Sequence, residues 1–222
     1  PNIADWPEMI PLGRHVLIKA VSVLDDPVTT TDELIPSGET SSYRSNPLKL
    51  AEFALSRKDP GYVGRAKAVQ ADEAVRRETG ELPESVRKHL ADVEIKEGTV
   101  YGSCVVAVKP GDGSAREQAA SCQRVLGGIA NIAREYATKR YRSNLINWGM
   151  LPLLAEKFRC KVGDYIYIEN IDRLIADGAE KIPAKHISGH TVKDVTFTVG
   201  PLTPDEKKII LSGCLINFNA GK

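Results

Sequence analysis

Cysteine is sparse in this chain: four in 222 residues, at Cys104, Cys122, Cys160 and Cys214, with no C-x-x-C pair. Disulfide-stapled folds pack cysteines far more densely, so that class is excluded. No local cluster of ligands suggests a zinc or iron–sulfur site built by this chain alone. Charge of one sign is lacking too, because 30 Lys and Arg against 29 Asp and Glu leave a formal net charge of +1. Charge alone therefore gives no support to nucleic-acid binding or to a strongly acidic or basic partner. There is no apolar run of about 18 residues, the length a membrane span requires. Pro1 to Leu12 has no charged region leading into an apolar one, so it does not read as a signal peptide, and a cytosolic location is the default expectation. Pro1 itself implies either removal of an initiator Met or a cut from a longer chain.

What is present is an ordinary globular composition, 42% apolar and 27% charged, long enough for one large domain or two small ones. His15 to Val23 is rich in branched residues and predicts a strand. Leu24 to Glu39 is full of Asp, Pro, Thr, Ser and Gly and predicts a long loop. Pro47 to Arg57 carries apolar residues at helical spacing, with Pro47 in the first turn. Residues 59–90 are charged and broken by Gly80 and Pro83, and are expected to form exposed helices in an excursion from the core. Val100 to Val108 predicts a strand, Lys109 to Gly113 a turn, Ser114 to Leu126 a helix ended by Gly127–Gly128, and Ile129 to Ala133 a short strand. Tyr141 to Asn147 predicts a helix or turn stopped by Gly149, and Leu151 to Phe158 a short helix. Asp164 to Asn170 and Thr191 to Val199 alternate as half-buried strands, and Thr203 to Ser212 opens with a good N-cap pattern as a final helix. Strands and helices alternate, so a layered α/β domain is expected over 1–222.

The most informative stretch is Gly111 to Ala119, GDGSAREQA, between a strand and a helix. The two glycines permit a tight turn and close backbone approach, and the first helical N–H groups form an anion site. Ser114 with Glu117 three residues on also fits a capping box. By itself the stretch says that an anion sits near a helix start; it lacks both common nucleotide-binding glycine patterns.

GDGSAREQA resembles the G-x-G-S-S-R-E-H-A segment of the aconitase family's C-terminal swivel domain. Four further matches follow in family order. Thr30-Thr31-Asp32 resembles its T-T-D-H loop, Arg44 in YRSN stands where the family has a substrate-binding Arg, YRSNLINWGMLPL resembles the next signature, and GCLINFNAG resembles the terminus. The resemblance implies a three-layer β/β/α swivel domain covering an active site built mainly by other domains. It also implies a [4Fe–4S] cluster held by those partner domains, whether in the same polypeptide or a separate large subunit, with no metal ligands on this chain. The family dehydrates and rehydrates hydroxy di- or tricarboxylic acids, the cluster iron acting as Lewis acid for the leaving hydroxyl.

By position, the resemblance makes Ser114 the base that takes a proton next to a carboxylate, its oxygen stabilised by the helix N-terminus and Arg116. Arg44, twelve positions after Asp32, and Arg116 are the candidate carboxylate-binding residues, because a guanidinium forks onto a carboxylate. Asp32 is the second candidate catalytic residue, one that orients neighbouring groups or pairs with an arginine. Arg142 and Asn144 are read as braces for the loop. Two residues depart from the family: Ala115 replaces a second serine and Gln118 a histidine. That puts citrate specificity in doubt, and an isopropylmalate- or homoaconitate-type component stands as the alternative. From another class, a non-catalytic binding or regulatory paralogue fits the same motifs. His186 and His190 have H-x-x-x-H spacing, but Ser188 and Gly189 between them argue for a loop and against a metal site.

Overall fold

Branched apolar residues decide the centre of the fold. The structure is a computed structural model that describes residues 6–221; Pro1, and the readings that rest on it, lie outside the described residues. In chain order the first elements are β1 (His15–Leu24), β2 (Thr29–Thr30), α1 (Thr31–Leu34), α2 (Pro47–Ala51), α3 (Tyr62–Thr79), α4 (Glu84–Arg87), β3 (Thr99–Ala107) and β4 (Pro110–Asp112). Then come α5 (Arg116–Val125), β5 (Gly128–Ala133), α6 (Lys139–Asn147), β6 (Leu151–Leu154), β7 (Tyr165–Ile168) and α7 (Ile171–Ala176). The chain finishes with β8 (Ile182–Ser188), β9 (Thr191–Phe197), α8 (Pro204–Ser212) and α9 (Leu215–Asn219).

Seven strands form one mixed sheet in the order β6-β5-β3-β1-β7-β8-β9. The β1, β3, β5, β6 half is parallel, and β7, β8 and β9 continue it antiparallel. The sheet curls until its two edges touch: Leu154 and Thr198 exchange both backbone hydrogen bonds, at 2.7 and 3.0 Å. Strands buried on both faces read as continuous apolar runs, and β1 does. Its Leu17 and Val21 join a cluster under α2, α3 and α5, while Val16, Ile18 and Ala20 join a second cluster with α7 and α8. The fold is mixed α/β, a curled sheet with helices on both faces and a separate two-stranded β2–β4 pairing.

Several expectations need correction. Leu151 to Phe158 is not a helix; Leu151–Leu154 is a parallel strand, because a short apolar run carries no period that separates strand from helix. Tyr165–Ile168 is buried on both faces, not half-buried. The 24–39 loop contains β2 and the four-residue α1, whose capping box joins Thr30 and Glu33. Segment 59–90 is helical, but α3 packs Tyr62, Ala66, Val69 and Glu73 against the core. The one acid in that stripe, Glu73, is satisfied by Arg76 at 2.6 and 2.7 Å and by the Tyr101 amide at 3.1 Å, which is what allows a carboxylate to be buried there. His186 lies in β8, not in a loop, and its Nε2 meets Asp164 at 2.8 Å.

Beneath the sheet's parallel half lies a closed polar ring. The Tyr141 hydroxyl donates to Asn131 Oδ1 (2.7 Å), Asn131 Nδ2 donates to Gln123 Oε1 (2.7 Å), and Gln123 Nε2 donates to the Tyr141 oxygen (3.0 Å). All three residues are buried, so the ring ties α5, β5 and α6 together. Tyr141→Phe leaves Asn131 Oδ1 without its donor and should lower stability by about 1–3 kcal/mol. A urea melt of the two proteins checks this; an unchanged midpoint would show that the ring contributes nothing.

Candidate active site

The site forms where β3 ends and α5 begins. β2 pairs in parallel with β4, Thr29 opposite Pro110 and Thr30 opposite Asp112. That pairing carries the Thr30-Thr31-Asp32 segment to the GDGS turn. Two glycines make the turn possible. Gly111 has φ +99°, and a Cβ there would lie 2.2 Å from the Tyr141 ring. Gly113 has φ +134°, and a Cβ there would lie 2.2 Å from Thr31 Oγ1. Both positions combine a backbone conformation that L side chains avoid with a close neighbour.

The helix begins later than expected. α5 starts at Arg116 with Ala115 as N-cap, and no side chain caps it. The Ser114–Glu117 capping box does not form. Glu117 turns instead toward α6 and accepts from Asn144 Nδ2 at 2.8 Å and Trp148 Nε1 at 2.7 Å. The N–H groups of a first turn have no intrahelical acceptor; left uncapped, they remain free to meet an anion.

Ser114, Ala115 and Gln118 line a cavity of about 230 Å³ together with Arg44, Ser37 and Thr40, closed on the apolar side by Ile35 and Leu50. Of the four candidate residues, the fold brings Ser114 and Arg44 to this cavity, across a sequence separation of seventy positions (114 − 44). Asp32 stands beside it. Its Oδ1 accepts from the amide and hydroxyl of Ser37, both at 3.1 Å, and its Oδ2 meets Arg57 at 3.2 Å. Arg116 folds back and donates to the Gly113 carbonyl. Arg142 donates to the carbonyls of Val199 (2.7 Å) and Pro201 (3.0 Å), which braces the segment after β9. Sequence reasoning missed Ser37, Thr40, Ile35 and Leu50. Ile35, Ser37 and Thr40 had only the signal of position, between Asp32 and the helix at Pro47, and Leu50 only its place on the apolar face of that helix.

Among the described residues, no group of three or more His, Cys, Asp or Glu is placed to hold a metal ion. Burial pushes the Cys122 and Cys160 thiols up to about 12, and Cys104 is fully enclosed with its thiol pushed up for the same reason. The described residues give a [4Fe–4S] cluster no seat.

The sequence model of the aconitase C-terminal domain family matches residues 67–157, from within α3 to just beyond β6. Over that span the chain is similar to the aconitase C-terminal domain family. The matched span contains Ser114 and Arg116; Asp32 and Arg44 lie before it. A curated relative, the methanogen homoaconitase small subunit of Methanocaldococcus jannaschii, is 32% identical over 127 residues, 56% of this chain. The chain matches 64% of that relative's length. The crystal structure of 3-isopropylmalate dehydratase from Methanocaldococcus jannaschii shares the fold, with a TM-score of 0.54 at 24% identity, covering 92% of this chain and 94% of that one. No described helix is long and apolar enough to cross a membrane.

Two measurements check this geometry. Gly113→Ala puts a methyl against Thr31 at a backbone angle reserved for glycine, and should cost about 1–3 kcal/mol in a denaturant melt. At pH 8, Cys122 and Cys160 should alkylate far more slowly in the native protein than in urea, because a thiol at about 12 is only on the order of 10⁻⁴ thiolate at that pH. Equal labelling with and without urea, read by mass spectrometry, would contradict the burial described here.

Proposed function

We propose that this chain is the swivel domain or small subunit of an aconitase-type hydro-lyase, acting on a hydroxy di- or tricarboxylic acid with cluster-bearing partner domains in the cytoplasm. The observation that carries the reading is the cavity shared by Ser114, Arg44 and the uncapped start of α5. It brings together a nucleophilic oxygen, a fork for one carboxylate and a row of free N–H groups for another negative charge.

Each residue then has a task. Arg44 holds a substrate carboxylate bidentately. Ser114 Oγ takes the proton from the carbon next to a carboxylate, and the N–H groups at the start of α5 stabilise its negative charge. Arg116 is within the same turn; exchanging the Gly113 carbonyl for a substrate carboxylate gives it a second binding role. Asp32 acts through Ser37, fixing the loop that forms the cavity wall, and Arg57 neutralises it. The [4Fe–4S] cluster belongs to the partner domains in this reading.

The wall of Ile35, Leu50 and Ala115 favours a substrate whose remaining arm is partly apolar. That supports homoaconitate-type and isopropylmalate-type acids over citrate. Relatives named homoaconitase small subunit and 3-isopropylmalate dehydratase fit the same preference.

The test is reconstitution with the cluster-bearing partner and a panel of hydroxy-acids. The chain alone should show no turnover. In the complex, Ser114→Ala should lower kcat by at least a hundredfold with little change in KM, while Arg44→Lys should raise KM about tenfold or more. Wild-type kcat in the serine variant removes Ser114 as base. If the complex binds the acids but turns none over, the chain is a binding paralogue.

A further inference from the structure

A second cavity lies at the opposite end of the parallel strands, under the segment that leads into β1. It has a volume of about 200 Å³ and is mostly apolar, with Met9, Leu12, Val16, Val100 and Ile129 in its walls. Arg124, the penultimate residue of α5, also lines it. Arg124 is 8% exposed, and its guanidinium has no carboxylate partner among the described residues. Its Nη atoms donate to three carbonyls, Gly128 (3.2 Å), Ile10 (3.0 Å) and Gly213 (3.1 Å). Its Nε has no acceptor among the described residues.

Among the described residues, the charges around this cavity do not cancel. Glu73 also lines it, but both its oxygens are held by Arg76 and the Tyr101 amide. At the rim Glu8 and Arg77 pair with each other at 3.2 Å. Once these pairs are set aside, one buried cation, Arg124, remains among the described residues. Carbonyl dipoles solvate it but do not neutralise it, and a buried donor without an acceptor is destabilising. Folded proteins keep few such groups.

We propose that this cavity binds a short aliphatic carboxylate, its head group on Arg124 and its tail against the apolar walls. The volume holds roughly seven water-sized units, which suits an acid of about six carbons. This site is separate from the Ser114 cavity and does not rest on the function proposed above.

The experiment uses the whole chain and sodium hexanoate. Thermal unfolding and two-dimensional NMR should show saturable binding, with an upward shift in Tm and perturbed signals at Met9, Ile10 and Ile129. 1-Hexanol supplies the tail without the charge, and sodium sulfate at matched ionic strength the charge without the tail; each should give less than one tenth of the hexanoate effect. Arg124→Gln tests the head group but removes three backbone bonds and risks the fold. Ala74→Phe therefore provides the second variant. It sits at an exposed helical position on the rim and fills the entrance, so hexanoate affinity should fall at least tenfold with Tm unchanged in buffer. Three results overturn the proposal: no saturable hexanoate effect, equal effects from hexanol, or wild-type affinity in Ala74→Phe. Water alone in the cavity would give the first of these.

Discussion

The arrangement around Ser114 depends on the buried ring of Gln123, Asn131 and Tyr141. Three side chains from three elements each give and receive a hydrogen bond, so no polar atom of the ring lacks a partner. In a low-dielectric interior such a network is firm when complete and costly when broken. Its consequence reaches the site through Tyr141. The ring of Tyr141 is the surface on which Gly111 rests, with no space for a Cβ between them. Gly111 starts the turn, Gly113 ends it against Thr31, and Ser114 follows. The position of the candidate base is thus set from below by a polar network and from the side by the β2–β4 pairing. Neither constraint involves Ser114's own side chain, which leaves its hydroxyl uncommitted.

Much of the site could be read in the sequence, and the limit of that reading is instructive. GDGS after an apolar run signals a strand, a tight turn and a helix start, and the structure has all three. The error lies in Glu117. Local spacing offers it the capping position opposite Ser114, but spacing says nothing about α6, which folds back across the start of α5. Trp148 and Asn144 present two donors to one carboxylate there, and two such bonds outweigh a single reach back to a backbone N–H. A local rule failed because a tertiary competitor was stronger. The failure matters chemically, since the lost cap is what leaves the first-turn N–H groups free.

The fold shows the same division. β1, β3 and α8 follow from local pattern and caps, because branched runs and a Thr203–Glu206 capping box need no distant partner. Leu151–Leu154 was misread because a parallel strand covered on both faces has no alternation to display. The charged segment around α3 was misread in the other direction. Its buried stripe is narrow and includes Glu73, whose acceptability depends on Arg76 and the Tyr101 amide, a partner far away in sequence. Likewise, Ser37 and Thr40 lie in a loop whose composition predicts only irregularity, and closure onto α5 is a property of the assembled domain.

α5 is the element that these observations share. It has ten residues, about 15 Å of helix. Its first turn faces the Ser114 cavity without a cap, and its last turn carries Arg124, a cation at the negative end of the helix dipole. Arg124 grips the segment before β1, the start of β5 and the end of α8 through backbone carbonyls alone. Backbone acceptors hold position without supplying counter-charge, so they can fix a helix firmly while leaving its cation unneutralised. The helix is therefore anchored where no reaction is proposed and left open where one is. A rigid rear anchor is what an open front requires, because free N–H groups can only select an anion's position if the helix presenting them does not move.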